Sequence, residues 1–418
     1  YLDLMFDLSD VPEKDLPMVG LLQAVLGIID TEHYEYGELF NEINRHTGGI
    51  GTSLELYPDV TKVKEKEFRA TFEIKAKAIY GQIPFAIRMM KEILTASKLD
   101  DEKRLKEILS MTKTRLQDRF LSAGHSAAAL RAMSYKSPIS KFKDTTNGIG
   151  YYQNIREMEE HFEEKKEEIT NGLKALSELL FRKGNVMISY TASREGLAVL
   201  EEEIGSLKEV LYPERMPQSR CILHCEKKNE GFKTSSKVQF AAKAGNFIDA
   251  GEEYNGALQI LKVIMSYEYL WINIRVKGGA YGCMSNFNRI GEGYFVSYRD
   301  PNLGRTLEIY DGVPEYLENF TVSERDMTKY IIGTISNIDQ PMTPATKGDR
   351  SMNLYMNHVS AEMIRKEREQ ILTANQEDIR ALAGVARAVL ANDQICVIGN
   401  EAKIEEEKEL FMTVENLF

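Results

Sequence analysis

The sequence is short of the residues that several large classes of protein need. Its 418 residues include only four cysteines, which is too few for a disulfide-stapled scaffold and favours a reducing compartment. Its longest apolar runs, such as residues 19–22, are a few residues long, whereas a membrane-spanning helix needs about 20. Its formal net charge of −11 disfavours broad binding to nucleic acid or anionic lipid. We therefore expect a soluble protein whose partners are neither nucleic acid nor membrane.

Metal-ligating residues are equally scarce and poorly spaced for catalysis. A zinc peptidase needs three protein ligands, an open coordination position and a general base, and both helical motifs, H-x-x-E-H and H-E-x-x-H, set two histidines four residues apart. No histidine here has another at that distance; the six are His33, His46, His125, His161, His224 and His358. The sequence therefore predicts no metal site. A G-x-S-x-G nucleophile elbow is also absent, which argues against a self-sufficient hydrolase of another kind.

Two weaker metal candidates have simpler interpretations. On a strand, Cys221 and Cys225 would share one face while His224 pointed to the other. No second Cys or His cluster lies close in sequence, so free thiols in a strand are the favoured interpretation. His46 precedes a Gly-Gly pair, but residues 47–51 offer no further ligands. A partly buried or surface histidine is expected there.

What the sequence does contain is an internal repeat. Residues 39–51 read LFNEINRHTGGIG and residues 270–282 read LWINIRVKGGAYG. Each has an apolar helical approach, an Arg, two further residues and a Gly-Gly pair. The matched residues are Arg45, Gly48 and Gly49 in the first copy and Arg275, Gly278 and Gly279 in the second. We conclude that the chain is one structural unit written twice.

The elements around the two copies occur in the same order. An amphipathic helix precedes each Gly-Gly pair, a strand pair follows it, two helices come next, and a strand with an acidic helix ends each copy. The clearest strand is residues 68–78, where apolar and polar residues alternate strictly. Helices are also predicted over residues 155–180 and 307–317, and another begins at a capping box formed by Ser323 and Asp326. This order predicts an α+β fold of two homologous domains, each a mainly antiparallel sheet with helices packed on one face.

The length and the positions of the prolines place the domain boundaries. The chain is too long for one ordinary core, and residues 212–219 carry two prolines that break both periodicities. We predict domains at 1–210 and 220–418, joined by a linker at 211–219. The chain opens with Tyr1 in what reads as a strand already under way. It is therefore expected to be a fragment, with any targeting segment upstream.

Two motifs then resemble a known family. The run RVKGGAYG at 275–282, followed by SYRDP at 297–301, resembles the last domain of presequence-protease-type zinc metallopeptidases of the pitrilysin/insulinase clan. The first half, with Asp30-Thr-Glu and His46-Thr-Gly-Gly, resembles their third domain. This resemblance implies the metallopeptidase-clan fold shared with LuxS and processing peptidases. It also implies four homologous domains in two halves, which a hinge closes around a chamber where short unstructured peptides are degraded.

The resemblance assigns catalysis to the half that precedes this one. In that family the first domain carries H-x-x-E-H and a distal Glu ligand, so the cofactor is zinc in the whole protein and none in this chain. The implied partners are the N-terminal catalytic half of the same polypeptide and short peptide substrates. The chain alone is expected to be inactive. The expected compartment is the cytoplasm in a bacterium and an organellar matrix in a eukaryote.

The resemblance also nominates site residues. Arg275 and Tyr281 are implied to reach across the closed chamber to the substrate backbone near the scissile bond. A guanidinium stays cationic and can donate to a peptide carbonyl, and a phenol can add a second bond. Gly278 and Gly279 are expected to allow positive φ or close backbone approach, with substrate contact as a further role.

Several alternatives stay open. Without the family motif, an Arg at a helix end and a Tyr beside glycines would be structural. Arg299 and Asp300 are expected to pair with each other and hold a strand end rather than touch substrate. The competing function is a non-enzymatic peptide-binding or scaffold subunit of the same clan. An upstream half without H-x-x-E-H would select it.

Overall fold

The alternation in the first half builds a four-stranded sheet. A computed structural model describes residues 1–214 and 221–418. Strand β3 puts Phe72 and Ile74 into a core while Glu73 and Lys75 face the other side, as the two-residue period of a strand requires. The first unit contains, in order, β1 (Leu2–Asp7), α1 (Leu16–Val25), α2 (Tyr36–His46), β2 (Ile50–Pro58), β3 (Phe68–Ala76), α3 (Ile83–Thr95), α4 (Glu102–Ser134), α5 (Pro138–Asn147), α6 (Ile149–Glu160), α7 (Phe162–Leu180), β4 (Val186–Tyr190) and α8 (Arg194–Val210).

The second unit repeats this plan with two added strands. It contains, in order, β5 (Glu230–Thr234), β6 (Phe240–Asn246), α9 (Ala257–Tyr267), β7 (Gly282–Phe287), β8 (Glu292–Tyr298), α10 (Gly304–Asp311), α11 (Val313–Glu318), α12 (Glu324–Ile338), α13 (Pro344–Met356), α14 (Ala361–Leu372), α15 (Gln376–Ala381), α16 (Ala383–Ala391), β9 (Gln394–Asn400), α17 (Glu401–Glu406) and β10 (Thr413–Asn416). A π-helical turn, Trp271–Val276, lies between α9 and β7.

The strand order makes the duplication visible. The first sheet runs β2-β3-β1-β4 and the second contains β7-β8-β6-β9 in the same relative positions. All neighbours in these two sets are antiparallel. Strands β5 and β10 extend the second sheet beyond β9 through parallel pairing. The predicted α+β class with mainly antiparallel sheets is therefore confirmed.

Several local predictions were wrong in detail. The helix predicted over 155–180 is broken at His161, which leaves helical dihedrals (φ −109°, ψ 30°) between α6 and α7. The helix predicted over 307–317 is broken at Gly312, because Pro314 has no N–H to continue the hydrogen-bond ladder. The Ser323 hydroxyl accepts a hydrogen bond from the Asp326 amide. The Ser323 amide does not donate to the Asp326 carboxylate in return, so only half of the predicted capping box forms.

The expected strand at Cys221–Cys225 is also wrong. Residues 221–229 have no regular secondary structure. They run along the first unit, where the Cys221 amide donates to the Ser9 carbonyl at 2.7 Å. The predicted linker at 211–219 lies partly on residues 215–220, which are outside the described residues. Before that point Tyr212 is held by the first unit, since its amide donates to the Phe181 carbonyl.

Helix α4 joins the two units. Its first turns pack in the core of the first unit, and its second half packs on β6, β8 and β9 of the second sheet. The helix kinks at Ala123 (φ −131°). Next to the kink, a Cβ on Gly124 would lie 2.4 Å from the Phe240 ring. The close approach of helix and sheet at this point therefore depends on glycine.

A buried ionic network locks this junction. Arg131 donates to Asp144 of α5 at 2.6 Å and, from Nε and Nη2, to both carboxylate oxygens of Glu230 on β5. The Tyr135 hydroxyl donates to Glu230 at 2.9 Å. Truncating one member of such a buried pair typically costs about 3–5 kcal/mol, because the other charge is left uncompensated. The junction is thereby held in one arrangement.

Candidate functional site

The second Gly-Gly copy follows a π-helical turn. After α9 ends, residues Trp271–Val276 wind with i→i+5 bonds, such as the Lys277 amide donating to the Ile272 carbonyl at 2.9 Å. Single π turns occur often at functional sites, because the wider turn re-aims side chains. Here the turn places Trp271 and Arg275 on the same side of the chain.

The two glycines close this turn. A Cβ on Gly278 would lie 2.5 Å from the Ile274 carbonyl oxygen, and Gly279 has φ +82°. The Gly279 amide donates to the Arg275 carbonyl and the Ala280 amide to the Ile274 carbonyl, as at a glycine-ended helix. Both glycines are therefore required by backbone geometry.

Arg275 is held by aromatic rings. Its guanidinium carbon lies 4.1 Å from the centre of the Trp271 ring and 5.5 Å from that of Tyr281. Within residues 1–214 and 221–418, no carboxylate lies within ion-pair distance of it. The Tyr281 ring packs edge-on against Tyr298 at 5.7 Å, yet 65% of this residue is exposed. Stacking fixes the cation and leaves its in-plane N–H groups able to donate.

The next turn positions Tyr298 and was partly mispredicted. Asp300 is fully buried and accepts from the Asn302 amide (2.9 Å) and the Thr306 hydroxyl (2.7 Å). Burial raises the pKa of this carboxyl. Arg299, with φ +49°, turns outward and lies over the Tyr298 ring at 5.5 Å. The predicted Arg299–Asp300 pair is therefore wrong, because the Asp300 carboxylate points inward and accepts hydrogen bonds from Asn302 and Thr306.

We call Trp271, Arg275, Tyr281, Tyr298 and Arg299 the cation–aromatic patch. It brings the two nominated residues together, with Arg275 half-buried and Tyr281 exposed. Sequence reasoning missed Trp271 as a partner of Arg275. Two signals were available in the sequence. Trp271 is the only tryptophan of the chain, and it lies four residues before Arg275, a spacing that brings side chains together on a helix.

The first copy has a different arrangement at the same place in the fold. Arg45 donates to Glu42 at 2.5 Å on the last turn of α2, so its charge is neutralised within its own helix. His46 packs against the Phe85 ring at 4.5 Å. Ile50 stands near the position of Tyr281. At the positions that match Arg275 and Tyr281, the first copy therefore presents a paired arginine and an aliphatic side chain.

The side chains that the structure describes do not fit a zinc site. Outside residues 215–220, no three His, Cys, Asp or Glu side chains are grouped so that they could hold a metal ion. The His224 ring contacts Glu13 at 2.8 Å. Burial raises the pKa of the Cys221 thiol to about 11 and that of Cys283, beside the patch, to about 12. These raised pKa values keep both thiols protonated near pH 7, which disfavours a thiolate at either position.

Each of the two α+β units matches a family model drawn from peptidases. Residues 1–158 match the model of a domain associated with peptidases of family M16, subfamily C, and residues 229–401 match the model described as "PreP C-terminal domain". The chain belongs to the presequence-protease-like branch of the M16 peptidases and corresponds to the C-terminal half of such a peptidase.

Individual relatives agree with this assignment. Protein HypA of Clostridium perfringens is 39% identical over 417 residues, covering 100% of this chain and 42% of the relative. Presequence protease 1 of Arabidopsis thaliana is 28% identical, with 96% and 38% covered. The chain thus spans about two fifths of the length of these curated relatives.

Solved structures support the fold alone. A conserved protein from Enterococcus faecalis superimposes with a TM-score of 0.63 at 13% identity, covering 96% of this chain and 93% of that one. The peptidase M16 inactive domain from Pseudomonas fluorescens gives 0.58 at 15% identity, with 96% and 92% covered. Among the described residues, no helix combines the length and apolar character needed to cross a membrane.

Proposed function

We propose that this chain is the substrate-binding half of a zinc endopeptidase that degrades short, unstructured peptides. In this proposal the zinc ion and the general base belong to an N-terminal half of the same polypeptide, and the chain alone does not cleave peptides. The observation that carries the proposal is Arg275, a cation with no carboxylate partner among the described residues, held by Trp271 beside the exposed Tyr281.

The chemistry of peptide hydrolysis suits these two side chains. When water adds to a peptide carbonyl, negative charge develops on the oxygen, and donors already in place stabilise it more than they stabilise the ground state. Arg275 supplies a cationic N–H that needs no reorientation, because two rings hold its plane. The Tyr281 hydroxyl supplies a neutral donor. Gly278 and Gly279 set the distance between them. In this proposal they also contact the substrate, because the absence of side chains at this turn lets the substrate backbone approach closely.

The preference for peptides has two supports. The Arabidopsis relative is named a presequence protease. In addition, β7 begins directly after Tyr281 and is an edge strand of the second sheet. An edge strand offers unpaired amides and carbonyls to an extended peptide. A substrate paired there would run past the phenol and the guanidinium.

The test is peptide turnover by a polypeptide that carries this chain behind a half containing H-x-x-E-H. Arg275→Ala is expected to lower kcat by about 10²–10³, the usual effect of losing one transition-state donor. Tyr281→Phe is expected to act in the same direction and less strongly, because it removes a neutral donor. Unchanged turnover of a fluorogenic peptide in both variants would remove these residues from the mechanism and favour the scaffold alternative.

A further inference from the structure

A cavity of about 800 Å³ lies between the two units. It borders the cation–aromatic patch, because the Tyr298 ring packs 4.9 Å from the ring of His125, which lines the cavity. Leu56 and Pro58 of β2 line one side, Met284 and Val296 of the second sheet line another, and the kinked part of α4 with Ala123 closes it. This volume falls within the range of small-ligand sites. Since the Arg131 network holds the two units together at the same junction, the cavity is part of the folded chain.

The charge of the lining differs from that of the whole chain. Arg119, Lys143 and Arg289 line the cavity, and Glu292 is the one carboxylate among its described lining residues, whereas the chain carries a formal charge of −11. Arg289 is paired with Glu367. Glu292 accepts from the Ser140 hydroxyl and the Asn288 side chain. The cationic groups left for a ligand are therefore Arg119 and Lys143.

Arg119 is a half-buried cation without a carboxylate. Its Nη1 donates to the Asn147 side chain at 2.8 Å and its Nη2 to the Asn147 carbonyl. Burial, with Arg115 nearby, lowers its pKa. In the part of the chain that the structure describes, neither Arg119 nor Lys143 makes an ion pair. A desolvated cation facing a cavity is stabilised by an anion that enters it.

We propose that this cavity binds the carboxylate of a short peptide, with Arg119 and Lys143 as its counter-ions. The aliphatic side chains of Leu56, Met284 and Val296 provide the apolar surface for the neighbouring peptide residues. The choice of a peptide rests on the proposed function. The preference for a carboxylate requires neither zinc nor Arg275.

The experiment is calorimetric titration of this chain at pH 7 with acetyl-Ala-Val-Leu-Ala-Gly as the free acid or the C-terminal amide. The free acid is expected to bind at least about tenfold more tightly than the amide, as for a lost charge-assisted hydrogen bond. A third peptide, amidated and with Asp in place of the last Ala, separates a side-chain carboxylate from a terminal one. Binding by either carboxylate peptide supports the proposal and identifies the source. Equal affinity for all three peptides would overturn it.

Matched variants assign the binding to the cavity. Arg119→Gln with Lys143→Gln should reduce the affinity for the free acid to that of the amide. Arg305→Gln with Lys347→Gln removes the same charge at exposed positions outside the cavity and should leave affinity unchanged. Equal losses in both pairs would mean attraction by net charge alone and would refute the site. In Arg275→Ala the difference in affinity between the free acid and the amide should persist, because Arg119 and Lys143 remain in place. Loss of turnover with this difference intact would separate the proposed function from the cavity, and the reverse result would separate them in the other direction.

A second measurement does not depend on how the variants fold. In the unmodified chain with labelled methionine methyl groups, the Met284 resonance should shift on addition of the free acid, because Met284 lines the cavity. The resonance of exposed Met412, which does not line the cavity, should stay in place. A saturating peptide that leaves Met284 unshifted would overturn the proposal.

Discussion

The two Gly-Gly copies share a fold and differ in the side chains that contact their arginine. Arg45 ends an ordinary α-helix and is neutralised by Glu42 at 2.5 Å. Arg275 ends a π turn and is held by Trp271 and Tyr281, with no described carboxylate in reach. The duplicated backbone preserved the turn, while a few side chains decide whether the cation is available. The surroundings of the motif, more than the motif itself, therefore decide whether its arginine is free of a carboxylate partner.

The largest expected effect tests this contrast directly. Arg275→Ala should cost about 3–4 kcal/mol of transition-state stabilisation, whereas Arg45→Ala should leave kcat/KM of the assembled peptidase unchanged. Both variants should fold, since Arg45 is exposed and the half-buried Arg275 has no described ion-pair partner whose charge would be left uncompensated. Steady-state turnover of one fluorogenic peptide measures both. Similar losses in the two variants would show that the two copies are functionally equivalent.

Next in size is the cost of filling the first glycine of each pair. A Cβ on Gly278 would meet the backbone oxygens of Ile274 and Asn273 at 2.5 and 2.9 Å, whereas one on Gly48 would meet the Lys77 side chain. Backbone cannot move aside as a lysine stem can. Gly278→Ala should therefore lower the free energy of unfolding by about 2–3 kcal/mol and Gly48→Ala by less than about 1 kcal/mol. Urea denaturation compares them, and equal costs would contradict the geometry.

The two sheets also differ in their buried charges. In the first sheet, burial and the neighbouring Glu73 raise the pKa of Asp3 to about 9. In the second, Lys243 is paired with Asp311 at 2.8 Å and Asp393 at 3.2 Å. A carboxyl whose pKa is higher in the folded state destabilises the fold as it ionises. Stability should therefore fall as pH rises from about 4, the unfolded pKa, towards 9.

Asp3→Asn should remove part of that slope. We expect the variant to be more stable than the parent by at least about 1 kcal/mol at pH 8 and to match it near pH 4. Melting temperatures at the two pH values provide the measurement. A stability difference that does not change with pH would show that Asp3 is ionised in the fold.

The smallest effect concerns the ion pair of the first copy. Glu42→Gln should lower stability by less than about 0.5 kcal/mol, because Arg45 is 68% exposed and surface pairs contribute little. It should also leave peptide turnover unchanged, since freeing Arg45 does not supply the ring partners that Arg275 has. A gain of peptide affinity in Glu42→Gln would show that pairing alone silences the first copy.

Much of the fold followed from pattern. Alternation over residues 68–78 predicted β3, and the ordered recurrence of elements around Arg45 and Arg275 predicted the duplicated α+β architecture. Prediction stopped at contacts made by residues distant in sequence. The sequence pattern around Cys221 predicts a strand, but the Cys221 amide donates to the Ser9 carbonyl and the segment pairs with no neighbouring strand. Asp300 reads as the partner of Arg299, but burial turns it towards Asn302 and Thr306.

The repeat, the glycine turns and the absence of H-x-x-E-H and H-E-x-x-H could be read from the sequence, because periodicity, backbone freedom and residue type are local properties. The tertiary structure alone decided which cations are free. It placed Trp271 and Tyr281 around Arg275, left Arg45 beside Glu42, and brought Arg119 and Lys143 to one cavity with the second sheet. Charge pairing depends on which side chains lie close together in the folded chain, and residues distant in sequence make most of these contacts.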